Sequence, residues 1–246
     1  MIRIILCFVL LFIQELSGQD FKSEQKYYVR VRDAYREKES YLKQSLQLAK
    51  LPYPPKEIYI RIFKTEMILE VWVRSQNSDS FQIFKEYKIC AFSGELGPKR
   101  KQGDGQIPEG FYYIDGFNPS SNFHLSLKIN YPNESDRMLG TKGKLGGNIC
   151  IHGNCVTIGC VPITDDCIKE VYLLAIEART SGQRKIPVHI FPARLKDGMQ
   201  VLQNYKGNKR LTDFWINLKI GYDYFEKYKR LPKINVEKSG NYIYNF

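Results

Sequence analysis

The sequence predicts an α+β fold: a mainly-β central region, an N-terminal helical segment and a C-terminal helical extension. Three observations carry this. Asp20–Lys50 contains no Gly or Pro and has helix-forming composition. From Glu57 the composition turns to short Ile-, Val-, Tyr- and Phe-rich runs broken by turn residues. Late in the chain, Phe214, Leu218, Tyr222 and Phe225 recur at helical spacing, the pattern of a packing face.

Each element follows in order. Met1-Ile2-Arg3, the apolar run Ile4–Ile13 and the small residues of Leu16-Ser17-Gly18 have the layout of a cleaved signal peptide over residues 1–18. Ten apolar residues are too few to cross a bilayer, so no transmembrane anchor is expected after cleavage. Residues 19–52 form the helical segment, with an imperfect stripe of Tyr27, Val31, Ala34, Tyr35, Tyr41, Leu42, Leu46 and Leu48. Leu51-Pro52-Tyr53-Pro54-Pro55 ends it, because consecutive prolines cannot continue a helix.

Residues 56–192 form the central region. Ile58–Phe63 and Met67–Val73, joined by Lys64-Thr65-Glu66, predict a hairpin, and Phe81–Ala91 a third strand. Pro108 and Gly110 mark a tight turn into the next strand. Alternation over Phe123–Asn133 puts His124, Ser126, Lys128 and Asn130 on one face and Phe123, Leu125, Leu127 and Ile129 on the other. Asn133–Lys144 is polar and Gly-containing, and reads as a loop over a cleft. Asp165–Ala178 predicts an amphipathic helix capped by Asp165 or Asp166, and Ile186–Pro192 a closing strand on which His189 is structural. Residues 193–246 are the helical extension, ending in a terminal strand near Asn241–Phe246.

The net charge is +11, and it stays so if residues 1–18, with Arg3 and Glu15, are removed. An exported basic chain meets anionic envelope polymers or lipid headgroups. No zinc-finger or RNA-binding signature accompanies the charge, so nucleic acid is not an expected partner. Lys99-Arg100-Lys101 is the one tight basic cluster, and the plainest account of the basic residues is solvated side chains.

The chemistry concentrates in Gly146–Asp166, which holds one of three histidines and three of six cysteines. A thiol attacks carbonyls as its thiolate, and an imidazole is the usual neighbour that takes the proton. Cys160, after Gly159, sits where backbone N–H groups of a turn can face an oxyanion. His152, with Gly153 after it, ends the apolar run Ile149-Cys150-Ile151, a buried strand. Without residues 1–18 five cysteines remain, and the odd number leaves at least one unpaired. Cys155–Cys167 and Cys150–Cys155 are both open as disulfides. The spacing of Cys150, Cys155, Cys160 and His152 permits zinc, but structural sites normally use two ligand pairs separated by a longer insert. No metal is therefore expected.

His152-Gly153 followed by Thr157-Ile158-Gly159-Cys160 resembles the signature of the L,D-transpeptidase catalytic domain, the YkuD family. The usual family form has Ser at position 157 and Arg after the residue that follows the Cys. Here Thr157 keeps the hydroxyl, and Pro162 stands in place of the Arg that would contact a substrate carboxylate. Pro162-Ile163-Thr164-Asp165 and the strand from His124 to Asn133 are similar to the YafK-like branch, and Gly103–Tyr112 is similar to the family's Thr-Pro-x-Gly-x-Phe segment with Ile107 in place of the Thr. The resemblance spans roughly Glu57 to Pro192.

It implies a YkuD-like fold in the bacterial periplasm or cell envelope. It also implies Cys160 as nucleophile, His152 as base, and the Gly153 carbonyl orienting the imidazole. Backbone N–H groups around Ile158, Gly159 and Cys160 would serve the oxyanion, the Thr157 hydroxyl would position the loop or the substrate, and His124 would bind substrate or tune the thiol. The substrate class is peptidoglycan stem peptides, with a peptidoglycan-linked envelope protein as a further partner, and no cofactor is implied. The thioester would be resolved by an amine, giving a cross-link. Alternatives are a hydrolytic amidase or L,D-carboxypeptidase of the same fold, or an inactive envelope-binding module. A papain-like arrangement is disfavoured because its His lies far downstream of the Cys.

Overall fold

The protein is described from a computed structural model covering residues 20–75, 79–196 and 203–246. The expected signal segment lies outside these residues. After a short helical stretch at 20–26 come α1 (Val29–Leu48) and the strands β1 (Ile58–Phe63), β2 (Ile68–Arg74), β3 (Phe81–Lys88), β4 (Gly110–Asn118) and β5 (Ser126–Ile129). Then follow α2 (Glu134–Leu139), β6 (Cys150–His152), β7 (Val161–Pro162), α3 (Asp165–Thr180) and β8 (Pro187–Phe191). The chain closes with α4 (Lys209–Tyr228), β9 (Lys233–Val236) and β10 (Tyr242–Asn245).

One mixed sheet of order β3-β2-β1-β8-β4-β5-β6-β7 organises the molecule, and β9 and β10 pair in a separate ribbon. The architecture is α+β, as expected. The predicted hairpin is β1–β2, antiparallel with Ile60 opposite Val71. All six β1 residues are buried because the sheet is covered on both sides. Period-two alternation sends Ile58, Ile60 and Ile62 into the core beneath α1 and α3, and Phe63 into the core beneath α4. The same rule on β8 gives Val188 and Ile190 to the first core and Phe191 to the second. His189, on the Phe191 face, is buried, bonds the Tyr59 hydroxyl at 2.9 Å and packs edge-on against Phe111, a structural role. Phe214, Leu218, Tyr222 and Phe225 are buried on α4 as their spacing predicts.

A buried ion pair fixes the loop before β4. Lys64 and Glu109, both fully buried, meet at 2.9 Å, and the ammonium also donates to the carbonyls of Glu95, Gly97 and Ile107. Glu109 accepts from the Gly97 N–H and from the Trp215 indole. A paired, hydrogen-bonded charge is the form in which the interior tolerates one. The clasp holds Ile107 beside Gln106, whose carbonyl abuts the candidate site.

Several expectations change. Asn133–Lys144 is not all loop: Asn133 and Asp136 form a reciprocal capping box that starts α2, with Ser135 and Asp136 buried. The cap of α3 is Thr164, whose hydroxyl accepts from Cys167 N–H, and not Asp165 or Asp166. Lys99 and Arg100 are not simply solvated, since Lys99 pairs with Asp104 and Arg100 with Asp136. The disulfide is Cys90–Cys155, neither of the two pairings left open by the sequence. It joins the segment after β3 to the turn between β6 and β7.

Candidate active site

Two short strands bring the predicted pair together. β6 runs antiparallel to β5, with His152 opposite Ser126 and Cys150 opposite Lys128. On its other edge β6 runs parallel to β7, with Ile151 opposite Val161. Cys160 immediately precedes β7, so its register neighbour is Cys150. Residues two apart on a strand share a face, which places Cys150 and His152 together, with Cys160 beside Cys150.

His152 is buried, and its Nδ1 lies 2.5 Å from the Gly153 carbonyl oxygen. A carbonyl only accepts, so Nδ1 carries the proton and Nε2 keeps its lone pair. The Phe123 ring stacks on the imidazole at 4.6 Å and 29°. Gly153 has no room for a side chain: a Cβ there would come within 2.4 Å of Asp165 Oδ1 and 2.9 Å of the Phe123 carbonyl oxygen. Asp165 Oδ1 also accepts from Asn154 N–H at 2.7 Å, clasping the His-Gly turn to the start of α3.

The thiol turn is equally constrained. Gly159 has φ +133°, and a Cβ there would lie 3.0 Å from the Gln106 carbonyl oxygen. The Thr157 hydroxyl donates to the Cys160 carbonyl at 2.8 Å and accepts from Gly159 N–H at 3.1 Å. Thr157 therefore builds the turn, and the Gly159 N–H points at Thr157. The Ile158 side chain is 89% exposed and makes the outer lip.

Cys160 Sγ accepts from Cys150 N–H at 3.4 Å and lies 3.7 Å from the Asn148 carbonyl oxygen. Its pKa is pushed down from 9.0 to about 5: the Cys150 thiol hydrogen bond lowers it most, and the His152 hydrogen bond and charge add to this against the opposing effect of burial. Cys150 is driven the other way, above the ordinary thiol range, first by its hydrogen bond to Cys160 and then by burial. Such a thiol–imidazole pair is equipped to attack a carbonyl carbon.

His124 lies to one side. It precedes β5 with φ +69°, and this backbone turn breaks the alternation that the sequence suggested. Phe123, assigned to the face of Leu125, instead covers His152. His124 lines a neighbouring open cleft of about 600 Å³ with Arg30, Asn122, Asn154, Thr164 and Asp165, and neither His152 nor Cys160 lines it. Its Nε2 is buried without a partner, and burial lowers its pKa. Cys155, weighed as a zinc ligand, is bonded to Cys90.

Sequence reasoning missed Cys150, Phe123 and Asp165. Only Cys150 had a clear signal, its position two residues before His152 on one strand.

A cysteine and a histidine on one sheet face, each held by a glycine turn, form a candidate cysteine–histidine site. No family model matches the chain. A curated relative from Escherichia coli strain K12, "Putative L,D-transpeptidase YafK", is 39% identical over 188 residues, 76% of this chain and 73% of its own length. The protein of the same name in Escherichia coli O157:H7 matches to the same extent. The chain belongs to the YafK-like L,D-transpeptidase family. Among solved structures, the helical cell shape determining protein Pgp2 from Campylobacter jejuni aligns at TM-score 0.44 and 19% identity, over 74% of this chain and 73% of its own.

Proposed function

We propose that the protein is an exported, cysteine-dependent acyl-transfer enzyme acting on peptidoglycan stem peptides, an L,D-transpeptidase with Cys160 as nucleophile and His152 as base. The observation that carries the reading is the paired thiol and imidazole: a proton fixed on Nδ1 by the Gly153 carbonyl leaves Nε2 to hold the Cys160 proton. Family membership supplies the substrate class, since the relatives bear the name of L,D-transpeptidases. Among the described residues no helix is long and apolar enough to cross a membrane.

The Cys160 thiolate attacks the amide carbonyl that joins a diaminopimelate-type L-centre to the terminal D-residue. The Cys160 N–H faces the developing oxyanion, while Thr157 holds the turn that presents it. Proton transfer from His152 to the departing amine releases the D-residue and leaves a thioester. A second stem's amine resolves the thioester into a cross-link, and water resolves it into a shortened stem. Amine capture requires the acceptor to reach the thioester ahead of water, and the exposed Ile158 and Val156 rim is the surface we assign to it.

The test is incubation with purified muropeptides followed by mass spectrometry. The reading expects release of the terminal D-residue with cross-linked dimer, and neither from Cys160→Ala. Tripeptide without dimer would make the enzyme a hydrolase. Full turnover by Cys160→Ala would remove Cys160 as nucleophile.

A further inference from the structure

Cys150 stands beside the proposed nucleophile. Paired strands lie about 4.8 Å apart, within the roughly 4.4–6.8 Å Cα separation that a disulfide spans. Cys160 lies one residue before β7, and continuing the parallel register that sets Ile151 opposite Val161 puts it beside Cys150. The Cys150 N–H reaches Cys160 Sγ at 3.4 Å, and both sulfurs approach one acceptor, the Asn148 carbonyl oxygen, at 3.7 Å. Both cysteines are free and partly exposed. The Cys90–Cys155 bridge uses neither of them, and Cys167 sits apart on α3.

We propose that Cys150 and Cys160 are a redox pair: a low-molecular-weight disulfide converts them to an internal Cys150–Cys160 bridge that a thiol reverses. The Cys160 thiolate attacks one sulfur of the small disulfide, breaking its S–S bond and expelling one thiolate. Cys150 then attacks the Cys160 sulfur, breaks the mixed disulfide and expels the second thiolate, its own proton passing to the leaving group. Two protein thiols are oxidised and one small disulfide is reduced to two thiols. Cys150 thus acts as a resolving thiol, which spares Cys160 from a lasting adduct and from over-oxidation to sulfinic acid. That the bridge silences catalysis rests on the reading of Cys160 given above; the bridge itself does not.

The test uses the full chain in a Cys7→Ser, Cys167→Ser background, treated with oxidised glutathione, quenched in acid and weighed intact. The expected product is two hydrogens lighter, carries no glutathione and has lost iodoacetamide labelling at Cys160. Excess reduced glutathione restores the labelling. Cys150→Ser should instead retain one glutathione on Cys160, and Cys150→Ala should do the same if serine disturbs the fold. A lasting adduct on the parent protein, or the loss of two hydrogens in both Cys150 variants, would overturn the pairing. Muropeptide turnover is scored separately, so a failed catalytic reading leaves the bridge result standing, and the reverse.

Discussion

Alkylation of Cys160 by iodoacetamide, followed from pH 4 to pH 10, measures the ionisation on which the site depends. With a pKa near 5 in place of 9.0, Cys160 is mostly thiolate at pH 6. An ordinary thiol is then about 0.1% ionised, so the thiolate fractions differ by about a thousandfold. Intrinsic nucleophilicity falls with pKa at a slope of about 0.4–0.5, which gives back nearly two of those three powers of ten. The rate advantage is therefore only about tenfold, and the midpoint is the diagnostic quantity. Cys150→Ala removes the hydrogen bond that lowers the pKa most. A hydrogen bond to a charged group contributes about 1.5–3 kcal/mol, and a thiol is a weak donor. The lower figure converts to about one pKa unit. Losing a donor to the thiolate favours the thiol, so the midpoint rises towards about 6. Cys150→Ser keeps a donor and stays near the parent, whereas His152→Ala also moves upward. A parent midpoint near 9, or no rise in Cys150→Ala, would refute the reasoning.

Two further outcomes follow from the same geometry. Gly159→Ala forces a side chain into a φ region reserved for glycine and against the Gln106 carbonyl oxygen. The cost of about 1–3 kcal/mol should appear as a lower melting temperature with slower Cys160 alkylation, and unchanged values in both would contradict it. Asp136 is buried, and burial raises its pKa from 3.8 to about 6. The folded state holds that proton more tightly than the unfolded one, so this carboxyl costs stability as pH rises from about 4 to 6, up to about 3 kcal/mol. Denaturant unfolding should show that Asp136→Asn flattens this part of the pH–stability curve relative to the parent; parallel curves would show that the carboxyl does not titrate there.

What the sequence revealed was local pattern. The β1–β2 hairpin followed from two β-rich runs around Lys64-Thr65-Glu66, and the buried face of α4 from the spacing of Phe214, Leu218, Tyr222 and Phe225. His152 and Cys160 were legible because each adjoins a glycine that its turn requires. What escaped depended on distant partners or on one dihedral angle. Cys90 finds Cys155 across 65 residues, a pairing set by how the end of β3 meets the β6–β7 turn. The positive φ of His124 turns Phe123 onto His152, and alternation cannot foresee that reversal. The reciprocal cap of Asn133 and Asp136 is too short a signal to outweigh the surrounding polar and glycine residues, so α2 read as loop. Thr164 was passed over as a cap because two aspartates follow it.

The most direct test is to trap the intermediate. Protein mixed with a muropeptide carrying a terminal D-residue, quenched in acid within one turnover and digested, should yield the Cys160 peptide heavier by the acyl group of the shortened stem. That mass should disappear on hydroxylamine treatment, as a thioester's does, and should not arise in Cys160→Ala. Turnover with the acyl group on another residue, or with no covalent species under conditions that preserve thioesters, would contradict the assignment of Cys160.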